Sequence, residues 1–586
     1  MTIQYHIGID LGTTNSSLAY SEIGDEKIQK YLIHQLNSED LVVQKPVLPS
    51  IIYLPAENEF SEDSIKLPWS SDNKYIIGEM AKNQWGRAGY RVVHSAKSWL
   101  CHKGIDRKKS VLPFSSEIDH KISSFEATFM ILNHIKDSWN FDYKSGKLKG
   151  LFEDQKIVIT VPASFDPAAR DLTLEAALEA GYDDVRLIEE PQAAFYSWIE
   201  SHKDNWRDFL EIDKKILVCD IGGGTSDFSL IESTQKDKSL SLQRISVGSH
   251  ILLGGDNMDL ALAHFLNKKL KDDGKNPDQK QFSTLLSQAR DAKEDILSGK
   301  KDSVEVILAG SGSSLFASSM KVILEKKDVD KLLLDGFFSN CEKGDKANKK
   351  RQIGFRKVGL DYAYDPSILR HLSEFLSNQE GGFLLPDYLL FNGSMFQAEI
   401  LKDCIINGLK SWGCEDLKVL TGNEFTLAVS QGASYFSSLS DSGGIRIKAS
   451  LPFSYYIAVE KSQMAIPGME PELSMVCIAP WGLEEGESVT LKDEELYLVT
   501  GENIQFRLFR SHIRKDQAGD VIDYNLEDFE ELSSVEKTLE STAEQSFIPV
   551  NLETTATEIG TLDLFCHEVD GQKEKWKLEF NVREEI

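Results

Sequence analysis

Positive charge is scarce in this sequence: 65 Lys and Arg stand against 93 Asp and Glu, a formal net charge of −28. That balance argues against a general nucleic-acid binder and against a protein held on an anionic membrane surface. Any anionic ligand must therefore be gripped by local donors and metal. Long apolar runs are missing too, and none approaches the roughly 18 residues of a membrane-spanning helix. The N-terminus runs straight into a strand-like segment without a basic and then apolar leader, so no secretory signal is expected. The seven cysteines (Cys101, Cys219, Cys341, Cys404, Cys414, Cys477, Cys566) are scattered, odd in number and form no Cys-x-x-Cys pair. They support neither a zinc site nor a disulfide framework, and read as reduced buried thiols in a cytoplasm. A P-loop is absent as well, because no Gly-Lys-Ser/Thr opens a helix.

What is present is a repeated glycine hairpin. Ile7-Gly8-Ile9-Asp10-Leu11-Gly12-Thr13-Thr14-Asn15-Ser16-Ser17-Leu18 is echoed 210 residues later by Leu217-Val218-Cys219-Asp220-Ile221-Gly222-Gly223-Gly224-Thr225-Ser226-Asp227-Phe228. Each is a short apolar run, an Asp, a Gly/Thr turn and a second strand-like run. Ser226 to Ile231 lacks helical spacing, so each unit is strand–turn–strand, unlike a dinucleotide fingerprint. Glycines let backbone N–H groups approach an anion closely. The hydroxyls of Thr13, Thr14 and Thr225 add donors, and an Asp at a strand end can hold Mg²⁺ directly or through water. Two unrelated buried hairpins are the bland alternative, and the matched Asp10 and Asp220 tell against it.

With 586 residues, 41% hydrophobic and 27% charged, the chain has room for three or four units of ordinary globular composition. From the first hairpin to Gly78 it reads as polar and strand-poor. Glu79 to Leu100 reads as one helix, with Lys97 near its end. Residues 107–123 read as a polar connection. Phe125 to Trp139 has apolar residues at helical spacing. Lys156 to Val161 is a strand stopped by Pro162. Asp166-Pro167 caps a helix that ends at Gly181. Val185 to Ile188 is the next strand, with Glu190 at its C-terminal end, where ligand groups collect in α/β sheets. Gly254-Gly255-Asp256 opens an amphipathic helix, and two glycines at a helix N-terminus can cradle an anion. Phe282 to Ser298 is another helix, with Arg290, Lys293, Glu294 and Leu297 in one stripe.

The paired hairpins resemble the ATPase superfamily of actin, sugar kinases and heat shock protein 70, and the wording of the segments resembles the DnaK-type chaperones. Ser95-Ala96-Lys97-Ser98-Trp99-Leu100, Val161-Pro162-Ala163-Ser164-Phe165 and Glu190-Pro191-Gln192-Ala193-Ala194 carry that likeness beyond the hairpins. The resemblance implies a two-lobed actin-like (ribonuclease-H-like) α/β domain that binds ATP or ADP with Mg²⁺, and K⁺ as a further ion. It implies that Asp10, Asp220 and Glu190 hold the metal, largely through water. Gly12, Thr13, Thr14, Asn15, Gly222, Gly223, Gly224, Thr225, Gly254, Gly255 and Asp256 would line the phosphates. Lys97 would reach the γ-phosphate, and Glu190 with Asp227 would orient water and metal. Pro162 and Arg170 would relay nucleotide state.

The likeness departs from its pattern around the base. The stripe that contacts adenosine in the family keeps only Lys293; Arg290 and Glu294 have exchanged character and Leu297 replaces Ser. In Phe391-Asn392-Gly393-Ser394-Met395-Phe396, Gly393 and Ser394 hold, while Phe396 replaces the Arg that stacks on adenine. A Phe could stack on a purine. The phosphate half thus matches and the base half is rebuilt.

The expected organisation is an ATPase domain over 1–440 (lobes about 1–210 and 211–440), a linker at 441–450 and an all-β domain over 451–586. Asp335 to Asn378 reads as an insertion with a basic, mobile Lys343–Arg351 stretch. The tail has alternating strands around an Asp570-Gly571 turn, faintly resembles the family's substrate-binding β unit, and lacks a helical lid. The function implied is a cytoplasmic chaperone that hydrolyses ATP and couples nucleotide state to unfolded polypeptide or a dedicated partner, with co-chaperones. Two rivals are a non-cycling nucleotide-binding adaptor, as exchange-factor relatives are, and an actin-like filament former.

Overall fold

A computed structural model describes residues 3–581 apart from 26, 71–73, 103, 116–117, 119, 237–238, 310–318, 350–359, 361, 380–381, 423, 443–446, 450, 452, 462–471, 485, 502, 512–513, 524–527, 533, 539–546, 558–560 and 570–573. The chain divides into two compact units. The first is Met1–Leu240 with Ser246–Ile445, the second Ser241–Ile245 with Arg446–Ile586.

The first unit is built on two sheets. In one, β1 (Tyr5–Asp10) pairs antiparallel with β2 (Asn15–Glu22), which also pairs with β3 (Gln29–Lys30) and β4 (Val47–Pro49). On its other side β1 runs parallel to β5 (Lys156–Val161), and β5 parallel to β6 (Asp184–Glu189). The second sheet repeats this plan. β7 (Lys214–Ile221) pairs antiparallel with β8 (Ser226–Lys236). The strand after it is β9 (Ser239–Val247). β7 also runs parallel to β10 (Tyr388–Asn392), and β10 to β11 (Lys418–Leu420). The mainly apolar runs Ile157–Val161 of β5 and Ile216–Cys219 of β7 follow from burial on both faces, as parallel pairing requires.

Two expectations are corrected here. The segment up to Gly78 is not strand-poor: Ile33–Ser38 pairs with Leu41–Lys45, and Ile52–Tyr53 lies between Ile76–Ile77 and Val92–Val93. Nor is Glu79–Leu100 one helix. It is α1 (Glu79–Ala88), a tight turn, the Val92–Val93 strand, and α2 (Ala96–Leu100). The β-branched Val92 and Val93 sit in the core and favour the strand. Other helices follow sequence signals. α3 (Ser124–Lys144) starts with a Ser123/Glu126 capping box, and α4 (Pro167–Glu179) with an Asp166 cap and Pro at its first turn. After them come α5 (Glu190–His202), α6 (Gly255–Asp272), α7 (Gln279–Leu297), a helix over Lys326–Phe337, α8 (Ile368–Ser377), α9 (Glu399–Ser411) and α10 (Ala428–Ser442).

The basic stretch read as mobile is tied down where it is described. The Gly344 amide donates to Ser373 Oγ, Ala347 N to Glu374, and Asn348 to the buried Asp365. Residues 350–351 of that stretch, the Asp570-Gly571 turn and residues 443–446 and 450 of the expected linker lie outside the described residues.

In the second unit, Leu242, Gln243 and Arg244 of β9 pair in parallel with Ile447, Lys448 and Ala449 (β12, Ile447–Ala449). Every further described element of this unit is a strand. One sheet has Tyr456 and Ile457 at its middle, from the Ser454–Glu460 strand. The other runs Ser488–Val499, Phe547–Ala556, Thr561–Glu568, Lys575–Asn581. Tyr455, Ile457 and Ile478 from one meet Leu491, Val550, Leu564 and Trp576 from the other in a shared core.

Candidate nucleotide site

Sheet register brings the carboxylates together. Asp10 ends β1 opposite Thr160 of the parallel β5, and Thr160 Oγ1 donates to Asp10 at 3.3 Å. Asp220 lies near the end of β7, facing Asp227 on β8 and Asn392 on β10. Asn392 Nδ2 donates to Asp220 Oδ2 at 2.7 Å. Glu190 follows β6 as the first residue of α5. Burial, and then the negative charge of Glu190, push the Asp10 carboxyl up to about 7. Asp220 is raised well above the ordinary range by burial first, then by Glu190, Asp227 and Asp10. Each of these carboxylates makes its neighbours harder to ionise.

Lys97 is the counter-charge. On the spacing alone it would be a solvated surface lysine, yet its side chain is only 6% exposed and forms an ion pair with Glu190. Burial works against its charge, but Glu190, Asp10 and Asp227 more than offset that and hold it protonated. Nearby, Arg170 ties β5 to β6. It donates to the carbonyls of Ala163 (2.8 Å) and Phe165 (3.1 Å) and to Glu189 at 3.1 Å, both charged side chains 1% exposed.

The two hairpin turns face each other at van der Waals distance. A Cβ built on Gly223 would overlap the Thr14 hydroxyl, and one on Gly224 would come 2.7 Å from Thr13 Cγ2. The Thr14 Oγ1 atom is buried without a hydrogen-bond partner, as is Asn392 Oδ1 beside Asp220. Gly393, with φ of +92°, lets the backbone after β10 pass so close that a Cβ would lie 2.8 Å from Asp220 Oδ1. Asn15 and Ser394 are exposed at the rims.

Other expected site residues do different work. The amides of Gly255 and Asp256 donate to the carbonyls of Gly222 (3.1 Å) and Gly223 (2.7 Å), and Gly254 N donates to Asn257 Oδ1. The N-terminus of α6 is therefore used in holding the second hairpin, a correction to its reading as a free anion cradle. Arg290 donates to Asp259 (2.8 Å) and Asp256 (2.6 Å), and Lys293 pairs with Asp259 at 2.6 Å. They stitch α7 to α6, while Glu294 points to solvent. Phe396 is 0% exposed, its ring 4.4 Å from that of Phe391. It is a core residue with no face to offer a purine, so its stacking role is withdrawn.

Ser164 and His250 were not singled out from sequence, yet both touch Asp227. Their signal was weak: Ser164 lay inside a quoted motif, and a lone His is more often structural. Among the described residues no three His, Cys, Asp or Glu come close enough to ligate one ion directly. A depression of about 460 Å³ lined by Ile105, Asp106, Arg107, Lys108, Ala168 and Leu172 contains none of the residues above.

Comparison with known proteins gives this geometry a family. The Hsp70 protein family model matches residues 6–332, more than half of the chain. The chain belongs to the Hsp70 family. Its first unit is accordingly read as the two-lobed, actin-like fold of that family, one sheet in each lobe. It is similar to the chaperone protein DnaK of Thermosipho melanesiensis, 30% identical over 291 residues, which is 50% of this chain and 40% of the relative. It is also similar to a chaperone protein HscA homolog of Acinetobacter baumannii, 29% identical over 324 residues, 55% of this chain and 47% of the relative. The matched part thus spans less than half the length of either relative.

Proposed function

We propose that this Hsp70-family chain binds ATP with Mg²⁺ between its two hairpins, hydrolyses it, and uses the nucleotide state to change how its second unit binds unfolded polypeptide or a dedicated partner. The observation that carries the reading is the apposition of the Thr13–Thr14 and Gly223–Gly224 turns above Asp10, Asp220, Glu190 and Asp227, with Lys97 buried among them. The donor set fits the metal: hard carboxylate oxygens that raise one another suit Mg²⁺, and because no three of the described acids come close enough to ligate one ion directly, water would complete the coordination. When bound, Mg²⁺ supplies positive charge to the phosphate oxygens. The chain supplies the rest. The turn amides and the Thr13, Thr14 and Thr225 hydroxyls bind phosphate oxygens, Thr14 Oγ1 gaining the partner it lacks. Lys97 stabilises charge on the transferred group. Glu190 and Asp227 orient the attacking water.

The test is turnover of ATP by the full chain with Mg²⁺ and with EDTA, beside calorimetry of ATP and ADP. Metal-dependent phosphate release that is lost in Lys97→Met supports hydrolysis; absence of nucleotide binding overturns the reading. A non-cycling nucleotide-binding adaptor is the second reading. It predicts binding without turnover.

A further inference from the structure

Three side chains meet where the two lobes face each other. Ser164 follows β5 in the first lobe; Asp227 lies on β8 and His250 on the segment between β9 and α6, both in the second. Ser164 Oγ donates to Asp227 Oδ1 at 3.0 Å, and His250 Nδ1 lies 3.0 Å from Ser164 Oγ and 3.3 Å from Asp227 Oδ1. One arrangement of hydrogens satisfies every contact: Nδ1–H is shared between the hydroxyl and the carboxylate, while the hydroxyl hydrogen goes to the carboxylate. This is not a nucleophile relay, in which the imidazole would use one nitrogen for each partner. Here a single nitrogen serves both, and what is fixed is the carboxylate. The His250 ring is itself held edge-on to Phe165 at 6.3 Å, whose ring lies 5.9 Å from Lys97 Nζ.

We propose that Ser164 and His250 are positioning residues that clamp Asp227 across the interlobe cleft, so that its carboxylate is aligned for the attacking water only when the lobes are closed. This rests on the hydrolytic reading above. Both contacts take Oδ1, which leaves Oδ2 as the oxygen that meets the water. Because Ser164 comes from the opposite lobe, opening the cleft breaks the clamp and releases Asp227.

The test has two arms. In steady-state turnover, Ser164→Ala and His250→Leu lower kcat about tenfold with KM for ATP changed less than about twofold, because an aligned carboxylate matters in the transition state and not in binding. His250→Asn, whose side-chain amide N–H can replace Nδ1–H, recovers most of the loss. A raised KM at unchanged kcat, or an Asn variant as poor as the Leu variant, overturns the proposal. The second arm needs no turnover. The ligand-free wild type, both single variants and the double variant are unfolded in urea. The clamp predicts that the two losses couple, the second substitution costing less once the first is made, because the Ser164–His250 contact is already gone; strictly additive losses overturn it. If the wild type shows no ATP turnover, the hydrolytic reading fails and the urea cycle alone decides the clamp.

Discussion

At the scale of single residues, charge under burial decides most of what this site can do. Asp10 and Asp220 occupy equivalent places in the two hairpins, each raised by burial and by neighbouring carboxylates. Changing either to Asn removes one anion from the proposed metal site. Mg²⁺-dependent ATP turnover is expected to fall at least about tenfold, some 1.4 kcal/mol of activation free energy; wild-type rates in both variants would remove the two-hairpin clamp. A different buried group sets a pH dependence of stability. His134, 5% exposed, has its Nε2 2.9 Å from the His34 carbonyl oxygen, and burial lowers it to about 4. The sign follows from proton counting: between about pH 6.5 and 4 the unfolded chain takes up a proton that the folded chain refuses. Stability is therefore complete above that window and falls as pH drops through it, by up to ~3 kcal/mol from this residue. Urea unfolding at about pH 7 and about pH 4.5 measures the drop, and His134→Gln should shrink it.

At the scale of elements, close approach explains both what the sequence revealed and what it hid. The strands β1, β5 and β7, the capped helices α3 and α4 and both glycine turns carry strong local signals, and the structure has them. The Phe547–Ala556 strand carries a weaker local signal, because Pro549 sits inside it, although its burial alternates residue by residue. The break between α1 and α2 is a tertiary effect of the small sheet around Ile52–Tyr53. The burial of Lys97 and Phe396, and the meeting of Ser164 with His250, depend on contacts between segments distant in sequence, which periodicity does not encode. The helix α10 shows the same logic in a form that can be tested. Its small residues let it lie against α5 and β1: a Cβ on Gly432 would overlap the Ala193 carbonyl, and Ser434 Oγ donates to the His6 carbonyl at 3.0 Å. Gly432→Ala must push backbone from backbone, so a loss of about 1–3 kcal/mol is expected. A thermal melt of the full chain checks it, and an unchanged Tm would mean that α10 shifts without cost.

At the scale of the whole molecule, the chain crosses between its two units at Leu240–Ser241, at Ile245–Ser246 and again at Ile445–Arg446. The Ser241–Ile245 part of β9 belongs to the second unit, where its Leu242–Arg244 pair with β12, and the chain joins it at both ends to the unit that carries the hairpins. If nucleotide state is to reach polypeptide binding, β9 and β12 are a covalent and hydrogen-bonded route for it. Ile447 is the first residue of β12 and only 7% exposed. Placing a carboxylate there is costly and should loosen the strand. Titration of a fluorescent extended apolar peptide in ATP and in ADP is expected to give dissociation constants that differ by more than about fivefold in the wild type. Ile447→Asp should bring the two values together while ATP turnover persists, since this residue has no part in the phosphate site. Equal affinities in both nucleotides in the wild type would sink the coupling. Failure to bind the peptide in either state would instead favour a dedicated folded partner, and then the same comparison, repeated with that partner, decides whether β12 carries the signal.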